Sequence, residues 1–269
     1  MKNYKKNSFI ILKYAMLVIF SLLVLISLIF LMAKEYIQYK EKKDYKFLAD
    51  YIVNNENQGV FTDGSQAKAQ DESEKILKLE ELNNKYEDVV AWLEIPGTSI
   101  NYPVVQTNDN IYYLDHTYKK TYSTRGSIFL DKDVNLKKPS DNFLIYGHRS
   151  KSGAMFEGLL EYENESFYQN HKIINFSTLQ EDAQYEILAV FRSKVYNKTD
   201  TNVFRYYFFI DAENQSEYND FVSNSKKVSL YDTGVNASYG EQLLTLSTCA
   251  YHTEDGRFVI VAKKKTSVR

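Results

Sequence analysis

From Tyr14 to Ala33 the chain runs for twenty residues without a charge, and only Ser21 and Ser27 interrupt its apolar character. Wound as a helix, such a run crosses about 30 Å, the thickness of a bilayer's hydrocarbon core. Lys2, Lys5, Lys6 and Lys13 precede it, with no acidic residue among them. The positive-inside tendency then holds residues 1–13 in the cytoplasm and sends everything after the run outside. The competing reading is a cleaved signal peptide. A signal peptide has an apolar region of about 7–15 residues followed by an Ala-x-Ala-like site. This run is longer and no such site follows it, so residues 14–33 are expected to be a retained transmembrane signal-anchor.

Beyond the anchor the balance of charge turns acidic. With the four leading lysines set aside, 29 basic and 35 acidic residues remain, a net charge of −6. A nucleic-acid surface would normally be basic, so nucleic acid is not expected as a partner. The single cysteine permits no internal disulfide, and the exported fold must be held by its core. Residues 34–70 read as a membrane-proximal helix and linker. Ile37, Phe47, Leu48, Tyr51 and Ile52 give the first part a helical character to about Asn54. Asn55 to about Gln70 is polar, with Gly59 and Gly64, and reads as a flexible spacer.

Residues 71–269 are expected to form one extracellular domain, large enough for a single core. Asp71 to about Val90 is helical in pattern, with Ile76, Leu77, Leu79, Leu82 and Tyr86 on recurring faces. Strand-like runs follow at 142–146, 172–176, 184–191, 243–246 and 258–261, and a helix is expected near 215–225. The 23 tyrosines and 16 phenylalanines suit half-buried sheet faces.

Cys249 ends the run Thr245-Leu246-Ser247-Thr248-Cys249, and Arg257 opens the next apolar run after a polar turn. In an antiparallel pair, the end of one strand lies beside the start of the next. Cys249 and Arg257 can therefore share one end of a sheet, where the guanidinium favours the thiolate. Taken singly, a cysteine at a strand end is usually a small buried hydrophobe, and an arginine opening a strand is usually solvated. A third residue strengthens the pattern. The strand Asn142-Phe143-Leu144-Ile145-Tyr146 runs into Gly147-His148, and the glycine is expected to let the backbone turn so that the imidazole projects from the sheet end. His116, His171 and His252 lie in polar or turn segments instead.

These residues resemble the sortases, cysteine transpeptidases of Gram-positive cell surfaces. The run from Thr245 to Cys249 matches their Thr-Leu-x-Thr-Cys signature, and Arg257 occupies the position of their arginine. Tyr146-Gly147-His148 followed by Gly153-Ala154-Met155-Phe156 resembles the histidine region of class B. The similarity also covers the segment from Trp92 to Gln106 and the run Gly126-Ser127-Ile128-Phe129-Leu130-Asp131, about residues 75 to 265 in all. Two departures fall near the site: Ala250, where some class B members are acidic, and Arg149-Ser150, where Asn-Met is common.

The resemblance implies a mainly β fold: an eight-stranded sortase-type β-barrel with an N-terminal helix and a helix in the loop before the cysteine strand. It implies Cys249 as nucleophile, His148 as proton carrier and Arg257 as donor to the peptide or oxyanion, with Ser247 and Thr248 lining the substrate groove. The implied partners are secreted proteins with a C-terminal Pro-x-Thr-type sorting signal, and a peptidoglycan amine as acceptor. Pilus-type joining of subunits and a non-catalytic surface-protein-binding scaffold remain alternatives. An L,D-transpeptidase-like enzyme would need a Ser-x-Gly-Cys-type context that the sequence lacks.

No cofactor is expected and no metal site is assigned. Asp131-Lys132-Asp133-Val134-Asn135 opens like a calcium loop, but Leu136 stands where the EF-hand needs glycine. It reads better as a turn with Asx hydrogen bonds.

Overall fold

The computed structural model describes residues 2–53, 64–150, 153–250 and 253–266. Its contacts divide the chain between Phe47 and Leu48 into two compact units. Helix α1 (Lys2–Val53) begins in the first. Its candidate membrane span, Leu12–Ile52, includes the uncharged run. Leu17, Phe20, Leu23 and Phe30 are all exposed, as on a helix whose apolar surface has no protein partner. The residues expected to form a membrane-proximal helix continue α1 without a break as far as Val53.

In the second unit, α2 (Gly64–Lys85) precedes a closed barrel. Residues 64–70, read as spacer, are thus helical, while 55–63 lie outside the described residues. The helix also ends sooner than its apolar pattern suggested. Asn83 donates its side-chain amide to the carbonyls of Glu87 and Val89. That bonds the turn in place of another helical turn, and Val89 and Val90 open the first strand.

The strands are β1 (Val89–Glu94), β2 (Asn101–Val105), β3 (Ile128–Leu130), β4 (Asn142–Tyr146), β5 (Ile173–Thr178), β6 (Asp182–Lys194), β7 (Leu243–Cys249) and β8 (Gly256–Lys264). Their order around the barrel is β1-β2-β3-β4-β7-β8-β6-β5, and β5 closes on β1. β2–β3 and β4–β7 are parallel pairs; the others are antiparallel. A six-residue helix, α3 (Glu165–Asn170), precedes β5, and α4 (Gln215–Lys227) fills the connection from β6 to β7.

The strands near the cysteine are apolar almost without alternation because both their faces are covered. Leu243 to Thr248 and Phe258 to Ala262 are buried throughout. On the outer face, Tyr218, Phe221 and Val222 of α4 pack with Leu188, Phe191, Val259 and Val261. Each such apolar side chain contributes about 1.5–3 kcal/mol on burial. Asn214 starts α4 by accepting the Ser216 and Glu217 N–H groups, and Lys226 and Lys227 suit its carbonyl end. Lys75 of α2 meets Asp182 of β6 at 3.2 Å, fixing the N-terminal helix against the sheet.

Candidate active site

Strand register brings the three residues to one mouth of the barrel. β7 and β8 pair so that Cys249 faces Arg257. β4 runs parallel to β7 with Tyr146 opposite Ser247, and the Gly147 N–H extends this ladder to the Ser247 carbonyl at 3.2 Å. His148 is the next residue, so it emerges beside Cys249. All three are partly exposed, and they line a cleft of about 250 Å³ together with Leu114, Tyr146 and Tyr207.

Gly147 serves a purpose other than the expected sharp turn. Its φ lies outside the left-handed region, but a Cβ there would fall 2.7 Å from Cδ2 of Phe156. The glycine lets this fully buried ring pack against the backbone immediately before His148.

The imidazole is held from behind. Its Nε2 donates to the Leu114 carbonyl at 2.7 Å, which leaves Nδ1 as the nitrogen free to serve the thiol. The pKa of His148 is raised, first by its hydrogen bond with Cys249, against the opposing effects of burial and of Arg257. The Cys249 thiol is correspondingly lowered, first by His148 and, after the contrary effect of burial, by Arg257. Nη1 of Arg257 donates to the carbonyls of Asp255 and Gly256 at 3.2 and 3.0 Å, so the guanidinium is braced on its own turn. Its other N–H groups are not used by these two bonds.

Ser247 and Thr248 border the cleft, yet both are almost fully buried. The Ser247 hydroxyl lies 2.7 Å from the Tyr206 hydroxyl, whereas the Thr248 hydroxyl has no partner among the described residues. Ala250 is buried behind the cysteine, its N–H donating to the Gly256 carbonyl at 2.9 Å. Arg149 is turned towards Glu157 at 3.3 Å.

The remaining described histidines have local partners. His116 stacks on Tyr112 and approaches Asp115 at 2.7 Å, while His171 stacks on Phe167. His252 lies outside the described residues. The loop at Asp131 forms the expected Asx turn, with Asp133 N–H donating to the Asp131 carboxylate at 2.9 Å. No cluster of potential metal ligands occurs among the described residues. A larger cavity, about 790 Å³, opens at the opposite mouth, where Lys264 pairs with Glu181 and Lys263 with Glu241. It holds neither thiol nor imidazole among its lining residues.

Sequence reasoning did not anticipate Leu114, Tyr206, Asn110, which also lines the cleft, or Asp131, whose carboxylate accepts from the side chains of Asn110 and Tyr146. Leu114 acts through its carbonyl, which any residue supplies, so its identity carried no signal. The clue to Asp131 was present in its turn pattern, but the direction of its carboxylate depends on the tertiary fold.

The sortase domain model matches residues 93–265. Sortase B of Staphylococcus aureus is 33% identical over 188 residues, covering 69% of this chain and 74% of the relative. Sortase B of Listeria monocytogenes is 31% identical over 221 residues, with 79% and 87% covered. A solved Staphylococcus aureus sortase B–substrate complex superimposes with a TM-score of 0.71 at 29% identity, covering 86% of this chain and 98% of that one. The barrel and these likenesses agree: the chain belongs to the sortase family of cysteine transpeptidases and is of the class B type.

Proposed function

We propose that this sortase acts from the outer face of the membrane, cleaving a Pro-x-Thr-type sorting signal of secreted proteins and joining the threonine to a peptidoglycan amine. The observation that carries this reading is the convergence of Cys249, His148 and Arg257 through the registers of β4, β7 and β8. Cys249, as thiolate, attacks the threonine carbonyl to give a tetrahedral oxyanion. The imidazolium of His148 transfers its proton to the departing amine as the peptide C–N bond breaks, leaving a thioester. The acceptor amine then attacks, gives a proton back to His148, and releases the thiolate as a new amide forms.

Arg257 stabilises the oxyanion or grips the peptide through N–H groups not spent on Asp255 and Gly256. The Leu114 carbonyl fixes the imidazole so that Nδ1 serves both proton transfers. Ser247 and Thr248 form the groove floor beside the nucleophile. The uncharged run 14–33 anchors the chain, with residues 1–13 in the cytoplasm and the domain from 71 onward outside, within reach of substrates emerging from the membrane.

Full-length protein in detergent micelles, wild type beside Cys249→Ala, is incubated with a panel of Pro-x-Thr peptides and a small amine. Products are read by mass spectrometry. Cleavage after threonine with amine capture, absent in the variant, is expected. Binding of a peptide without any product, by correctly folded wild type, would favour the scaffold and overturn the transpeptidase reading.

A further inference from the structure

Asp131 follows β3, is almost wholly buried and has no part in the proton transfers above. Its carboxylate gathers donors from three segments. Oδ2 accepts the Asn110 side-chain amide at 2.9 Å and the Tyr146 hydroxyl at 3.0 Å. Oδ1 accepts the Asp133 N–H at 2.9 Å. Asn110 is also held from its other end, since its Oδ1 accepts the Lys132 N–H at 2.8 Å. Gln106 ties down the same turn, donating to the carbonyls of Asp131 and Val134 at 2.9 and 2.8 Å.

A local turn motif would account only for the bond to Asp133. It would not bring two side-chain donors from the cleft wall onto one buried carboxylate. Asn110 and Tyr146 both line the cleft with His148 and Cys249. Hydrogen bonds to a charged acceptor are the stronger kind, and desolvation makes losing one costly.

We propose that Asp131 is a positioning residue for peptide recognition, its carboxylate locking Asn110 and Tyr146 into one preformed wall of the cleft. The proposal rests on the sortase reading and deepens it. A preformed wall lowers the ordering cost of binding, so its loss falls on KM rather than on thiol chemistry. Asparagine at this position keeps the shape but has one acceptor oxygen where three donors converge.

The test uses full-length protein in micelles, comparing wild type with Asp131→Asn, Asn110→Ala/Tyr146→Phe and the triple variant. Asp131→Asn should raise KM for the sorting peptide by about tenfold while changing kcat by less than about threefold. Iodoacetamide alkylation of Cys249 should proceed at the wild-type rate. Added to the Asn110→Ala/Tyr146→Phe pair, Asp131→Asn should change KM by less than about twofold, because its partners are already gone. An unchanged KM in the single variant, or a full effect added in the triple, overturns the proposal.

Exchange of the Asn110 side-chain amide gives a readout independent of turnover and, in wild type, of any variant's folding. Slow exchange in wild type and at least tenfold faster exchange in Asp131→Asn are expected. Rapid exchange in wild type refutes the lock. If wild type turns over no peptide, the transpeptidase reading fails, and the lock is judged by this exchange alone.

Discussion

Gly126 adopts a φ of +57° just before β3, beneath the carbonyl that holds the imidazole. A Cβ at this position would lie 2.4 Å from the Tyr113 carbonyl oxygen and 2.5 Å from that of Leu114. Carbon and oxygen settle no closer than about 3.3 Å even in favourable contacts, so Gly126→Ala requires the backbone to give by roughly 0.8 Å. The bond from His148 Nε2 to the Leu114 carbonyl is 2.7 Å long. A shift of roughly 0.8 Å in either sense takes it outside the hydrogen-bonding range, by collision or by separation. With the ring released, Nδ1 no longer faces the thiol reliably. Misplacement of a reacting group by about 1 Å can cost about 100-fold. Gly126→Ala should therefore lower kcat/KM by about 10–100-fold. Its stability should fall by about 2–5 kcal/mol, from left-handed strain and overpacking together.

Gly234→Ala separates the two effects. Gly234 has a φ of +73°, but nothing lies within 4 Å of its added Cβ. It should lose about 1–2 kcal/mol from strain alone and keep kcat/KM within about twofold. The assay pairs thermal unfolding with steady-state transpeptidation, and histidine-selective ¹⁵N NMR reads the His148 tautomer. Wild-type kcat/KM in Gly126→Ala, with a stability loss no greater than in Gly234→Ala, would refute the proposed link between this glycine and the imidazole.

Thiol alkylation should report the electrostatics directly. Because His148 first and Arg257 next hold the Cys249 pKa down, the thiolate appears at lower pH than for an ordinary cysteine, and alkylation rises as pH passes through that pKa. His148→Ala should move the inflection to higher pH, and Arg257→Gln should move it the same way by less; an unmoved inflection in His148→Ala contradicts the pairing. Gly147→Ala drives a Cβ into the Phe156 ring at 2.7 Å and should cost about 1–3 kcal/mol, with partial recovery in the Phe156→Leu double variant on thermal unfolding. Tyr206→Phe strands the buried Ser247 hydroxyl, now 2.7 Å from its partner, and should cost about 1–3 kcal/mol. Denaturant unfolding should show the loss relieved in the Tyr206→Phe/Ser247→Ala double variant.

The barrel was legible where a strand's two faces impose their own composition. The apolar runs around Cys249, Arg257 and His148 marked β7, β8 and β4, and strand adjacency alone brought Cys249 to Arg257. The place of His148 beside them depends on parallel pairing of β4 with β7, across about a hundred intervening residues, which no local pattern encodes. The extent of α2 differs from its apolar pattern at both ends for local reasons. A polar, glycine-bearing stretch hid its start at Gly64, and the side-chain bonds of Asn83 closed it before Val89. Gly147 drew attention as a hinge, whereas its purpose is the ring of Phe156, a residue brought back by a loop. Leu114 and Asp131 were hidden more deeply. One acts through a backbone carbonyl, and the other through donors distant in sequence that only the closed fold gathers.

The most direct test concerns the fate of the Cys249 sulfur. Full-length protein is mixed with excess sorting peptide in the absence of an acceptor amine, quenched in acid within seconds, and examined by intact and tandem mass spectrometry. A mass gain equal to the peptide's N-terminal fragment ending in threonine, located on Cys249 and released by hydroxylamine, is expected, with no adduct in Cys249→Ala. Steady release of cleaved peptide without any adduct on Cys249, or an unchanged rate of cleavage in Cys249→Ala, would contradict the thioester route.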